Sequence, residues 1–217
     1  MKNDIAIIGL GTFGFELAVQ LAEKGHGVLA IDIDEKKINA IKNYVDIAVQ
    51  ADITHKEVLD KLEINKFDKV IFCMSSALES IILAITYMKK IDVKFIIGKA
   101  NTRIQKEILL KIGADEVVLP EISSAIRLSD RISNPFIIEK FEVDKENSLI
   151  EVEIPLKYIG KSLKELQLRT KYNVNVVMIK DDMSTKVVNN PEYKFQKNDK
   201  AFVIGNEVQI KKAFKEM

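Results

Sequence analysis

A chain of 217 residues, 47% hydrophobic and 30% charged, has the composition of one large or two small globular domains and not of a disordered segment. Its 33 basic and 32 acidic residues leave a net charge of +1, and from Glu139 to Met217 the balance is 15 to 13, so neither part carries the surplus that a nucleic-acid binder needs. The single cysteine, Cys73, excludes an intramolecular disulfide framework and fits a reducing compartment.

The opening Met1-Lys2-Asn3-Asp4 leads into an apolar run that is too short for a signal peptide. The most apolar window, Val70 to Met88, holds Glu79 and three serines, so no run reaches the length of a spanning helix. The chain therefore reads as soluble and cytoplasmic. Short β-branched runs at Ile5–Ile8, Val28–Asp32, Asp46–Val49, Val70–Cys73, Phe95–Ile97 and Val117–Leu119 predict strands. Helical patterns near Phe13–Lys24, Glu35–Tyr44, Lys56–Leu62, Ala77–Lys89 and Arg103–Ile112 fill the gaps between them. Strands alternating with helices at this spacing predict an α/β fold, a doubly wound Rossmann-like parallel sheet.

The pattern changes after Leu119. A polar helical stretch, Glu121 to Ser133, follows Pro120, and Asn134-Pro135 is a turn signal. Strands are predicted at Ile137–Val143, Leu149–Ile154, Val174–Ile179, Lys186–Val188 and Ala201–Ile204. Ser162 and Glu165 form a capping-box signature for a short helix, Leu163 to Leu168, and a last helix is expected at Val208–Lys215. The expected division is residues 1–119, a crossover segment 120–135, and a small α+β domain 136–217.

Gly9-Leu10-Gly11-Thr12-Phe13-Gly14 follows a strand and opens a helix, the context in which this glycine spacing binds a nucleotide. Gly9 permits the tight turn, Gly11 lets the backbone approach a diphosphate, and Gly14 lets the helix pack close to the sheet. The helix N-terminus presents free N–H groups and a positive dipole end to that diphosphate. Eighteen residues beyond Gly14, the second strand ends in Asp32, whose carboxylate can accept from both ribose hydroxyls and would repel a 2′-phosphate. A glycine turn with a capping aspartate is the plainer alternative. The motif specifies adenosine and a diphosphate, which NAD, ADP and ATP all satisfy. Asp52 follows the third strand within reach of the adenine edge, and Ser75 and Ser76 follow the fourth within reach of ribose or phosphate; loop capping would explain all three equally well.

Support for catalysis is thin. His26 sits in a Gly-His-Gly turn, His55 at a helix start, and Cys73 at the end of an apolar strand, and each fits a structural role better than a chemical one. No H-E-x-x-H, C-x-x-C or G-x-S-x-G occurs. The helix Ser80 to Met88 is apolar nearly all round, which favours a subunit interface over plain core packing.

The segments IAIIGLGTFG, LAIDIDEKKI, ADIT and KANTRIQKEILLKIGADEVVLPE resemble a bacterial RCK-N, or TrkA-N, domain. The stretch from IGKSLKELQLRTKYNVNVVMIK through FQKNDKAFVIGNE resembles an RCK-C domain. Together they are similar to the KtrA-type cytosolic regulatory subunits of Ktr and Trk potassium transport systems. The resemblance implies a non-enzymatic subunit lying at the inner face of the membrane through a potassium-translocating partner. It also implies homodimers assembling into an octameric ring, with ATP and ADP binding switching ion flow.

By position, Gly9, Gly11 and Gly14 would hold phosphates, Asp32 the ribose, Asp52 the adenine edge, and Lys99 the phosphates. Thr12, Phe13, Ile33, Ile53 and Ser75 would complete the nucleotide site. Glu121 matches a carboxylate that helps to hold Mg²⁺ or Ca²⁺ near the terminal phosphate. Arg169, Asn175, Val177 and Pro191 fall in the segments that bind cyclic di-AMP in related subunits; a solvated arginine, a strand and a turn proline are their plainer readings. Thr12 stands where such subunits often carry arginine, and a hydroxyl supplies no charge. NAD(H) therefore stays open as the ligand, as does a small NAD-dependent oxidoreductase as the function. A redox-sensing transcriptional regulator ranks last, for want of a basic recognition helix.

Overall fold

Six parallel strands, each followed by a helix, build the first of two units, Met1–Ile122 and Ser123–Met217, in a computed structural model that describes residues 2–74, 78–181 and 184–215. The elements run β1 (Asp4–Ile8), α1 (Thr12–Glu23), β2 (Gly27–Asp32), α2 (Glu35–Ile41), β3 (Ile47–Gln50), α3 (Lys56–Lys61), β4 (Lys69–Phe72), α4 (Leu78–Lys90), β5 (Ile96–Lys99), α5 (Arg103–Lys111) and β6 (Glu116–Val118). The sheet order is β3-β2-β1-β4-β5-β6. Strand order reverses between β1 and β4, and a crevice opens at the carboxyl ends of strands around such a reversal. In register, Ile8 lies beside Ile31 on one side and Phe72 on the other.

Successive residues of each strand point to opposite faces, and both faces are covered, which is why these strands read as unbroken apolar runs. Ala6, Ile8, Leu29, Ile31, Val70 and Phe72 pack against Ile81, Ala84, Ile85 and Met88 of α4 and Leu109 of α5. Ile5, Ile7, Val28, Ala30 and Ile71 pack on the other face with Ala18 of α1 and Ile41 of α2. Core packing thus accounts for one face of α4, while Leu83 on that helix stays 57% exposed. A short 3₁₀ turn at Ile64–Lys66 has no counterpart in the periodicity, because it is entered through Glu63 in a left-handed conformation (φ 48°) and spans too few residues to show a pattern.

A helix, α6 (Pro120–Ser133), leads from the first unit into the second and buries none of its residues. The second unit then runs β7 (Ile137–Glu142), β8 (Asn147–Glu153), α7 (Leu163–Leu166), α8 (Leu168–Tyr172), β9 (Asn175–Lys180), β10 (Thr185–Val187), β11 (Lys200–Asn206) and α9 (Glu207–Phe214). Its antiparallel sheet has the order β10-β9-β11-β8-β7. Ile150, Val152, Ile179, Ala201 and Val203 of the sheet pack on Leu166, Leu168, Ile210, Ala213 and Phe214.

The fold class is the expected one, and a second detail differs. The single helix expected over Leu163–Leu168 is two short ones, broken at Gln167 (φ 51°). The break lets Leu166 and Leu168, only two residues apart, both point into the core. Among the described residues no helix is long and apolar enough to cross a membrane.

Candidate functional site

A cavity of about 590 Å³ opens within the first unit at the carboxyl ends of its central strands. Gly9, Gly11, Thr12 and Phe13 line it, with Asp32, Ile33, Asp52, Ile53, Lys99 and Glu121, so the structure brings these expected residues to one place. The three glycines meet separate demands. Gly9 has φ +93°, and a Cβ there would lie 2.9 Å from Met74. A Cβ on Gly14 would sit on the Gly9 carbonyl oxygen and 2.8 Å from the Cys73 Cβ, so this glycine is required by packing between α1 and the strands. A Cβ on Gly11 would meet nothing within 4 Å. Gly11 is also the N-cap of α1, with no side chain to occupy the free N–H groups of the first turn.

Asp32 ends β2 and is almost fully buried. Its Oδ2 accepts from the Leu10 N–H at 2.6 Å and from the Lys37 ammonium at 3.1 Å, while its Oδ1 accepts from the Asp34 N–H at 2.9 Å. Burial pushes this carboxyl up, but the Asp34 and Leu10 N–H groups and Lys37 together outweigh it and hold the group below its ordinary value. Asp52 accepts from both the N–H and the hydroxyl of Thr54, at 2.9 and 2.7 Å, and these bonds hold its carboxyl below the ordinary value. Lys37 and Thr54 line the cavity too, and neither was expected from the sequence. The available signal was Lys37's place on the first helix after the strand-ending acid.

Lys99 ends β5 and is 8% exposed. Its ammonium lies 2.5 Å from the Glu121 Oε1 in the first turn of α6. The Lys99 hydrogen bond holds the Glu121 carboxyl below its ordinary value against a small opposing effect of burial. Burial pushes the Cys73 thiol up to about 12, with Lys99 only partly opposing it, so this cysteine stays an inert thiol. His26 has the structural role expected, its Nδ1 accepting from the Asn3 N–H at 3.2 Å. Ser75 and Ser76 lie outside the described residues.

The residues expected to meet cyclic di-AMP are spread over the second unit. Arg169 is exposed on α8, Asn175 and Val177 lie on β9, and exposed Pro191 follows β10. The Pro191 carbonyl accepts from the Lys164 N–H, which ties its turn to the start of α7. Pairing of β9 with β11 shifts register past Val177, the kind of irregularity that re-aims side chains.

Residues 5–120 match the TrkA-N domain family and residues 149–217 the TrkA-C domain family. The chain is 36% identical over 180 residues to Ktr system potassium uptake protein C of Bacillus subtilis (strain 168), covering 83% of this chain and 81% of that protein. It is 30% identical over 213 residues to Ktr system potassium uptake protein A of the same organism, covering 98% and 96%. Among solved structures, the GsuK channel aligns with all of this chain at 14% identity and a TM-score of 0.69, and the GsuK channel bound to NAD gives 0.66. This chain spans 40% of that channel chain, and the likeness is one of fold. Two matched domains in one order, and near full-length identity to two proteins of one system, place the chain in the TrkA-N/TrkA-C family of RCK proteins, homologous to the Ktr system potassium uptake proteins A and C.

Proposed function

We propose that this chain is a nucleotide-binding regulatory subunit of a potassium uptake system, acting from the cytoplasmic face on a membrane potassium-translocating partner. One observation carries the reading: a single cavity gathers a glycine loop at a helix N-terminus, a buried strand-ending carboxylate and a buried ammonium. That set matches a nucleotide's diphosphate and ribose. Gly9, Gly11, Thr12 and Phe13 lie toward the phosphates, with Gly14 holding the helix close behind them and Lys99 as the buried ammonium. Asp32 and Ile33 take the ribose, and Asp52 and Ile53 the base. ATP or ADP is the preferred ligand, and the name of the NAD-bound GsuK channel keeps NAD(H) as the second reading.

No chemical turnover is needed. A terminal phosphate that contacts one conformation better than another shifts the population toward it by that difference in affinity. Glu121 contributes one carboxylate toward a divalent cation, and among the described residues no cluster of three or more such ligands exists. Phosphate oxygens and water would supply the rest, the usual way in which Mg²⁺ is held. Ile126, Leu128 and Ile132 of α6 and Leu83 of α4 are exposed apolar residues. They support assembly of the chain into dimers and a ring. Arg169, Asn175, Val177 and Pro191 offer a guanidinium for phosphate and apolar atoms for adenine, which supports cyclic di-AMP as a second ligand.

The test is a melting-temperature panel with ATP, ADP, NAD⁺, NADH and cyclic di-AMP, with and without Mg²⁺. A ligand at 100 times its Kd stabilises the folded chain by about 2.7 kcal/mol, a readily measured rise. We expect ATP and ADP to raise the melting temperature and to be recovered unchanged. No rise with any adenine nucleotide would end the reading. A rise confined to NAD(H), together with NADH oxidation on a substrate screen, would establish the oxidoreductase instead.

A further inference from the structure

We propose that the Glu121 carboxylate is an internal stand-in for a nucleotide's phosphate, which an incoming ligand has to displace from the Lys99 ammonium. This rests on the nucleotide reading of the cavity and concerns how that same site is regulated. Lys99 is 8% exposed, and an ammonium taken out of water is unfavourable unless an anion accompanies it. The anion beside it is Glu121, 2.5 Å away.

The two partners are unequal. Lys99 is fixed in the cavity wall, whereas the Glu121 side chain is 60% exposed and reaches in from the first turn of a helix. The glutamate can turn back into water at small cost; the lysine cannot follow it. Both residues line the same cavity as Gly11 and Thr12, so an anion drawn to the glycine loop enters space that Glu121 already shares. Two anions held against one ammonium repel each other over a few ångströms, and in a partly desolvated cavity that repulsion is weakly screened. A phosphate group carries more charge than a carboxylate and keeps the lysine. Part of the ligand's binding free energy is then spent on separating Lys99 from Glu121, and the released carboxylate sits at the head of α6. Occupancy of the cavity is thereby recorded at the start of the segment that leads into the second unit.

The experiment is calorimetric titration of ADP into the full chain in EDTA-containing buffer, with wild type, Glu121→Gln and Glu116→Gln. Glu116 is exposed on β6 and outside the cavity, so its variant controls for net charge alone. Glu121→Gln keeps the shape of the side chain and removes the competing anion. We expect it to tighten ADP roughly three- to tenfold, a range set by the modest strength of a half-exposed ion pair, with Glu116→Gln within about twofold of wild type. Unchanged or weaker ADP binding by Glu121→Gln, or an equal gain in both variants, would overturn the proposal. Failure of wild type to bind any adenine nucleotide would overturn the nucleotide reading and this proposal with it, whereas binding indifferent to Glu121 overturns this proposal alone.

Discussion

Gly11 and Gly14 stand three residues apart, and a methyl group added to each meets different surroundings. At Gly14 it would collide with the Gly9 carbonyl and crowd Cys73, so Gly14→Ala is expected to cost about 1–3 kcal/mol of stability. At Gly11 it meets open space, so Gly11→Ala is expected to leave the melting temperature within about 2 °C of wild type while weakening ADP at least roughly tenfold, because the methyl lies where a diphosphate would approach. Melting curves and ADP titrations on both variants check this pair; a large loss of stability in Gly11→Ala would show that its role is structural.

Asp32 carries the second expectation at this scale. Its folded carboxyl titrates below its ordinary value, so its stabilising effect is fully present above the unfolded pKa of about 3.9 and is lost as pH falls through the folded value. Asp32→Asn is expected to lower stability at neutral pH by roughly 2 kcal/mol, through weakened bonds from Leu10, Lys37 and Asp34. The gap to wild type should narrow as pH falls below about 4, measured as melting temperature against pH. Parallel curves for the two proteins would show that the carboxylate's charge contributes nothing to the fold. The sequence pointed to Asp32 as a ribose acceptor from its place at a strand end. The bond from Leu10 was not legible there, because that N–H lies 22 residues away and becomes a neighbour only once β1 and β2 pair.

At the scale of elements, legibility followed the strength of the local signal. β1 and β2, α1 and the capping box of α7 each declare themselves within a few residues. The Ser162 hydroxyl accepts from the Glu165 N–H at 3.2 Å while the Glu165 carboxylate accepts from the Ser162 N–H at 2.6 Å. Ser162→Ala is therefore expected to cost about 1 kcal/mol, read as a lower melting temperature of the chain. An unchanged melting temperature would show that the box is redundant with the packing of Leu166. The break at Gln167 is the opposite case: neither glycine nor asparagine announces a left-handed residue there, and the inward pull of two leucines decides it. Lys99 paired with Glu121 was also hidden, since a strand end and a helix start 22 residues apart share no periodicity.

At the scale of the whole molecule, each unit holds its own core. The apolar clusters of the first unit end before Pro120, and that of the second begins at Phe136. Every residue lining the candidate cavity lies at or before Glu121. A fragment of residues 1–133, which keeps all of α6, is therefore expected to melt cooperatively and to bind ADP within about threefold of the full chain by calorimetry, since it retains every lining group. Loss of binding in a folded fragment would mean that the second unit contributes to the site. The bond from the Leu10 N–H to Asp32 has a consequence of its own. It ties the residue proposed to take the ribose to the loop proposed to take the phosphates, so the two halves of the proposed site are held together. Adenosine and pyrophosphate added as separate molecules would each find the other's seat already formed. Joined in one nucleotide, they would gain the full effective concentration of a rigid two-point attachment.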